Sequence, residues 1–404
     1  MEALASGSWL THDRVRRVAV VAALAWLVAL AWLFGMSSGT LDALGRPLGT
    51  DFSNVWTAGL MANGGRSAEV WDWPSHFAVQ QAIHGKSDVD LFGWHYPPPF
   101  LLVASGLAFL RYVPALVVWQ LATLIPFAVM MQRLVPGRDI LLLTFAAPVT
   151  LICLAHGHNG FLTALLLGSG LLLLDRRPLI AGLLFGCLIY KPQFGLIIPV
   201  LLVAGGHWRA IAGAFISAGA LVALTLAIWG WPVWQAFFDS MALTREIVIE
   251  EGRTGWHKIM SPFAAARMWG SPIPAAWAAQ LVFTLAAMAA VAWLSRRRDA
   301  PELRNALVCA AVVIATPYVL DYDLVVLLPA LAWLWIDGRK NGFLPWDASA
   351  MALVWFAPLV ARAVAQLTLV PLGLVSALLV AAIALRRASV RASPSRRSHA
   401  VSGR

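Results

Sequence analysis

The sequence predicts an all-α, multi-span membrane protein with a large first outer loop, and three observations predict it. Of 404 residues, 60% are hydrophobic and only 12% are Asp, Glu, Lys or Arg, about half of the charged share usual in soluble domains. Apolar runs recur along nearly the whole chain, and no polar stretch is long enough to make a soluble domain. The basic residues that give the formal charge of +10 gather in short clusters between apolar runs, the pattern of cytoplasmic loops rather than of a nucleic-acid surface. An ordinary water-soluble enzyme is excluded.

The first element is the run Val18 to Phe34 behind Arg14, Arg16 and Arg17, longer than a signal-peptide core and so expected to be a retained first helix. Further runs follow at about 100–110, 113–131, 140–154, 161–174, 179–189, 194–204, 211–228, 275–294, 306–320, 324–336, 348–365 and 367–385. Several are shorter than the roughly 20 residues that a bilayer crossing takes, so hairpins or broken helices are implied, with about 10–13 spanning or half-spanning helices. Arginine clusters at 14–17, 133–138, 176–177, 296–304, 339–340 and from 386 onward put both termini in the cytoplasm of a plasma (inner) membrane protein. An even number of crossings then requires either that the stretch after Tyr96 dips in and returns, or that the pieces around Lys191 form one long helix. The first option places His158, Lys191 and Asp321 together on the outer side and is preferred. Residues 1–385 read as one membrane domain, and 386–404, with six Arg and no acid, as a disordered basic cytoplasmic tail. Cys153, Cys187 and Cys309 each lie inside an apolar run, with neither metal nor disulfide spacing.

Two polar excursions, 37–95 and 231–271, hold ten of the 20 acids and seven of the 30 basic residues, leaving the rest of the chain at +13. That contrast puts both outside. The first is rich in Trp and turn residues, which suggests short helices lying at the membrane interface. No internal repeat is visible.

Asp51, ahead of Phe52 to Trp56, is either a helix N-cap or a base that accepts a proton in a group transfer. His95 and Tyr96 precede three prolines, which supply no amide hydrogens and fix an extended approach to the next helix; the histidine is the part that this structure does not require. His156, His158 and Asn159 sit between two short apolar runs. A zinc site lacks further ligands, and His158 and Asn159 are either turn formers or donors to phosphate or sugar.

Lys191, in Tyr190-Lys191-Pro192-Gln193, is flanked by about a dozen apolar residues on either side. An ionisable group at membrane depth is costly and is by default functional, and Pro192 frees backbone groups that are tolerated only beside a cavity or protein interior. A cation there suits a lipid-linked phosphate, against snorkelling to the interface. Asp321 and Asp323 follow Pro317 between short apolar runs, where they pair with a cation, bind sugar hydroxyls or hold a divalent ion, in that order of preference. His257 and Lys258, with Trp256 and Arg267 near them, clamp a phosphate group or anchor at lipid head groups.

The order Asp51-Phe52, Tyr96-Pro97-Pro98, His158-Asn159-Gly160, Lys191-Pro192-Gln193 and Pro317 to Asp323 resembles glycosyltransferase family 87, the polyprenol-phosphate-mannose-dependent mannosyltransferases of GT-C fold. The resemblance runs from the first span to about Leu328. It implies an inverting membrane enzyme with Asp51 as catalytic base, and Lys191, His257 and Lys258 as contacts of the donor phosphate. His95, Tyr96, His158, Asn159, Gln193, Asp321 and Asp323 are the further candidate substrate contacts. Where some members have Gly-Gln-Asn, this chain has Gly157-His158-Asn159, and it lacks a His that some carry near Asp321 and Tyr322. The expected partners are a polyprenyl-phosphate sugar, a glycolipid or glycan acceptor and the bilayer, with no nucleic acid. No cofactor is expected, a divalent cation being optional. The rivals are a transporter or flippase of lipid-linked sugars, favoured by the intramembrane Lys191 and broken helices, and an envelope glycan polymerase or ligase, which would carry a larger loop between the late spans.

Overall fold

The computed structural model describes residues 1–392, which are helical over most of their length; among them the only extended pairings are isolated bridges. Five helices are long and apolar enough to cross a bilayer: His12–Gly35, Tyr112–Leu134, Trp208–Trp229, Ile273–Ser295 and Leu372–Ala392. The chain is therefore an all-α polytopic membrane protein, as its composition predicts.

The other apolar runs do not make straight spans. Arg138–Ala146 and Pro148–His156 meet at 57°, and Asp347–Leu359 and Ala361–Thr368 at 83°. Pro148 opens the second helix of the first pair, where a ring without an N–H also bars the preceding residue from helical backbone. Counting each bent pair as one span gives seven, and the shorter apolar helices Pro98–Leu107, Gly160–Leu173, Pro178–Tyr190 and Pro192–Ala204 bring the spanning or half-spanning pieces among the described residues to eleven, within the 10–13 read from the sequence. Pro98–Leu107 has ten residues, about 15 Å at 1.5 Å per residue, and reaches only half-way. Around Lys191 the chain forms two separate short helices, Pro178–Tyr190 and Pro192–Ala204, so the single long helix is ruled out by the proline break.

The core is built on Pro301–Ala315, buried at every residue from Leu303 to Ala315 and packed between Ile273–Ser295, Leu327–Asn341 and Leu372–Ala392. At its start Arg304 pairs with Asp175 at 2.8 Å.

The 37–95 segment does contain short helices, but one is enclosed by protein rather than laid on a surface. Phe52–Asn63 buries Phe52, Ser53, Asn54, Thr57 and Ala58 against Pro98–Leu107. Gly59 allows this, because a Cβ there would lie 2.0 Å from the Ala104 carbonyl oxygen. Trp73–His84 is more open, and its first turn is capped by Asp72, whose Oδ2 accepts the Ser75 N–H at 3.0 Å. The second excursion is tied to the late polar segment through its backbone: the Met260 N–H donates to the Val319 carbonyl at 2.7 Å, and Ile259 bridges Leu320.

At the far end of the last helix the expected tail is corrected. The helix runs on to Ala392, because Arg386, Arg387 and Arg391 have partners. Arg387 holds Asp337 at 2.5 Å and Asp347 at 2.6 Å, Arg391 also pairs with Asp337, and Arg386 with Asp347. Both carboxylates are buried. The rest of that tail, 393–404, lies outside the described residues. Beside this network the Trp346 N–H donates to the Ala5 carbonyl at 2.7 Å, and the Ser349 hydroxyl to the Leu4 carbonyl at 2.7 Å.

Candidate active site

Asp51 stands at the N-cap position of Phe52–Asn63 but does not cap it: no side-chain hydrogen bond reaches the first turn. Its Oδ2 is buried without a partner, 3.8 Å from His156 Nδ1. That proximity is set by glycine. Gly157 has φ +59°, a left-handed conformation that glycine adopts without strain, and a Cβ on it would meet Phe52 Cβ at 2.7 Å and the Gly49 carbonyl oxygen at 3.0 Å. The Thr50 hydroxyl and His156 Nδ1 share a hydrogen bond of 2.6 Å across the same contact. Burial pushes the Asp51 carboxyl up to about 7, while Arg362 and the Tyr322 hydroxyl, both facing it, pull it back down and Asp321 and Asp323 raise it. A carboxyl in that range exchanges its proton near neutral pH, as a general base requires.

Below it lies a buried polar frame. Lys191 is 4% exposed, with Nζ 2.5 Å from Asp323 Oδ1, 3.3 Å from Asn159 Oδ1 and 4.7 Å from the Phe194 ring centre. It does not snorkel, and its charge is matched within the protein. Asp323 Oδ2 accepts the Leu320 N–H at 3.2 Å. His158 lies flat on Tyr322, ring centres 3.6 Å apart, and its Nε2 meets the Tyr96 hydroxyl at 3.3 Å. Tyr190, next to Lys191, shares a 2.6 Å hydrogen bond with Thr163.

The third part is cationic. Asp321, 3% exposed, accepts its neighbour's N–H from Tyr322 at 3.0 Å and pairs with Arg362. Arg362 stands on Ala361–Thr368, and that helix packs on the turn Trp256–Lys258. His257 is held below the ordinary imidazole value by burial and then by Lys258 and Arg362. Lys258 has no ion pair among the described residues. Arg267 stacks on Trp256 at 4.5 Å from the ring centre, so that part of the segment is held by protein.

The structure thus gathers Asp51, Tyr96, His158, Asn159, Lys191, Asp321 and Asp323, with His257 and Lys258 at their side. Two expectations come out differently. His95 has a structural tie after all: its Nδ1 meets the Thr244 hydroxyl at 3.1 Å and its ring packs on Trp73 and Tyr318, joining the two polar excursions, and burial takes it down to about 4, so it stays neutral. Gln193 contributes its backbone, the carbonyl accepting the Thr316 hydroxyl at 3.0 Å. The two acids two apart resolve as cation pairs, one with Arg362 and one with Lys191.

Residues passed over as site members are His156, Tyr318, Tyr322 and Arg362. Tyr96, Tyr318 and Tyr322 all lie within the field of Asp51. Arg362 carried a readable signal: it is the only charged residue within the apolar run 348–365 and answers to the rule that marked Lys191.

Compared with known proteins, the chain matches the family model described as glycosyltransferase family 87 over residues 94–317, more than half of its length. No curated protein and no solved structure matches it. Asp51 and Arg362 lie on either side of the matched span.

Proposed function

Because this chain belongs to glycosyltransferase family 87, and is thus a membrane glycosyltransferase, we propose that it moves a hexose, mannose by family resemblance, from a polyprenyl-phosphate donor to a hydroxyl of a glycolipid or glycan. The observation that carries this reading is the buried Asp51 carboxyl, set between His156, Tyr322 and Arg362 with its Oδ2 free of a hydrogen-bond partner among the described residues. Asp51 takes the acceptor proton as the hydroxyl oxygen forms its bond to the anomeric carbon. The bond from that carbon to the phosphate oxygen breaks on the opposite face, and the phosphate leaves with the electron pair, so the configuration inverts. Lys258 and Arg362 stabilise that departing charge, with the neutral imidazole of His257 beside them as a hydrogen-bond donor. Lys191, matched by Asp323, keeps the frame in place rather than meeting the phosphate. The reaction face is the outer side of the plasma membrane, with both termini in the cytoplasm, by the arginine distribution.

Purified protein in proteoliposomes, given polyprenyl-phosphate mannose and candidate glycan acceptors, is expected to yield a glycoside of inverted configuration by NMR. Translocation of the lipid-linked sugar with no covalent product would replace this reading with the flippase.

A further inference from the structure

Arg362 lies 45 positions beyond the end of the family match, in a stretch that is otherwise apolar. The 83° bend ahead of Ala361–Thr368 turns this helix toward the polar cluster, where its neighbours are Asp321 and the Trp256–Lys258 turn. Its Nη2 donates to Asp321 Oδ1, while its Nε is buried with no partner and the side chain as a whole is 30% exposed. A guanidinium has five N–H donors in a rigid fork; here Nη2 is engaged by the buried Asp321 carboxylate, and among the described residues the other nitrogens have no hydrogen-bond acceptor. Lys191 offers the opposite case, being enclosed by Asp323, Asn159 and Phe194.

We propose that Arg362, braced by Asp321 and helped by Lys258, is the seat of a prenyl monophosphate, binding the donor's phosphate through the planar fork that suits two oxygens at once. Three observations meet in this assignment: a buried guanidinium N–H without an acceptor, a second cation without an ion pair, and a carboxylate that fixes the orientation of the first. The assignment rests on the lipid-phosphate reading above and narrows it: the donor's phosphate is a diester with a single negative charge, the prenyl monophosphate that leaves carries up to two, and the fork of one arginine plus one ammonium matches that added charge. Asp321 is then a positioning residue and not a sugar contact.

The test measures binding of a short-chain prenyl monophosphate, of the matching prenol and of inorganic phosphate to the full-length protein in detergent. Wild type is expected to prefer the prenyl monophosphate to both. Arg362→Gln should weaken it on the order of 10–100-fold, as for loss of charge-assisted hydrogen bonds, with prenol binding unchanged, and Arg362→Lys should fall between. Asp321→Asn, whose amide oxygen can still accept from the guanidinium but no longer neutralises it, should bind prenyl monophosphate as well as wild type or more tightly. Because Arg362→Gln also strands a buried Asp321, the double variant Asp321→Asn/Arg362→Gln removes that cost. If the double variant is folded and still binds weakly, the assignment stands; if it recovers wild-type binding, Arg362 only neutralises Asp321 and the assignment is overturned. A wild type that does not distinguish prenyl monophosphate from prenol overturns the lipid-phosphate reading itself.

Discussion

Asp51 Oδ2 lies 3.8 Å from His156 Nδ1, and that oxygen has no hydrogen bond although it is buried. An unsatisfied carboxylate oxygen is costly, and the glycines at 49 and 157 bring the two groups this close. The pair is therefore held by the fold rather than by its own attraction.

Asp51→Asn is expected to abolish most of the transfer, by about 10²–10⁴-fold in rate for a lost general base, while the protein remains folded. It should also be more heat-stable than wild type at pH 8. The folded carboxyl ionises near 7 instead of its ordinary 3.8, so between those values the unfolded chain binds fewer protons and stability falls as pH rises; the amide removes that loss. Thermal unfolding of both proteins at pH 5 and pH 8 checks this, the gap being larger at pH 8.

Activity in kcat/KM should rise with pH through about 7, as Asp51 loses its proton. The Tyr322 hydroxyl lowers that carboxyl, so Tyr322→Phe should move the acid limb to higher pH without abolishing the plateau. A limb that stays in place would show that another group sets it.

Breaking the Lys191–Asp323 pair from one side leaves a buried charge. Lys191→Met or Asp323→Leu alone should cost about 3–5 kcal/mol of stability, and the double variant Lys191→Met/Asp323→Leu clearly less. Denaturation of the purified proteins reads this directly. A double variant that costs the sum of the two single variants would argue that Lys191 is not held by Asp323.

Gly157→Ala should lower both stability and turnover. A left-handed backbone costs a non-glycine residue about 1–2 kcal/mol, and the new Cβ would press on Phe52, next to Asp51. A fall in kcat larger than the shift in KM is expected, because the base is displaced rather than the donor contacts.

The membrane class was legible from composition, since 12% charge leaves no soluble alternative, and the run Val18 to Phe34 lies within the His12–Gly35 helix. The number of full spans was not, because apolar content marks burial in lipid and burial in protein alike. The run 306–320 shows this: its helical part lies in Pro301–Ala315, which is wrapped by other helices. In the candidate site, Lys191 and Asp323 were each visible as intramembrane charges, but that they neutralise one another depends on a contact 132 positions apart, which one sequence does not reveal. Arg362 is legible by the same rule, although the apolar run around it hides it. His95 was read as free of structural duty because its partner Thr244 belongs to the other excursion.

The hydrogen bonds from Trp346 and Ser349 back to Ala5 and Leu4 bear on how the molecule is made. Ribosomes deliver residues 4 and 5 some 340 positions before the groups that donate to their carbonyls, and Arg362 later still. A nascent chain halted after residue 341 would contain every position of the family match and also Asp51, yet would lack the guanidinium opposite that carboxyl. On the proposed role of Arg362, a chain halted there is expected not to hold the donor phosphate until Ala361–Thr368 has been made.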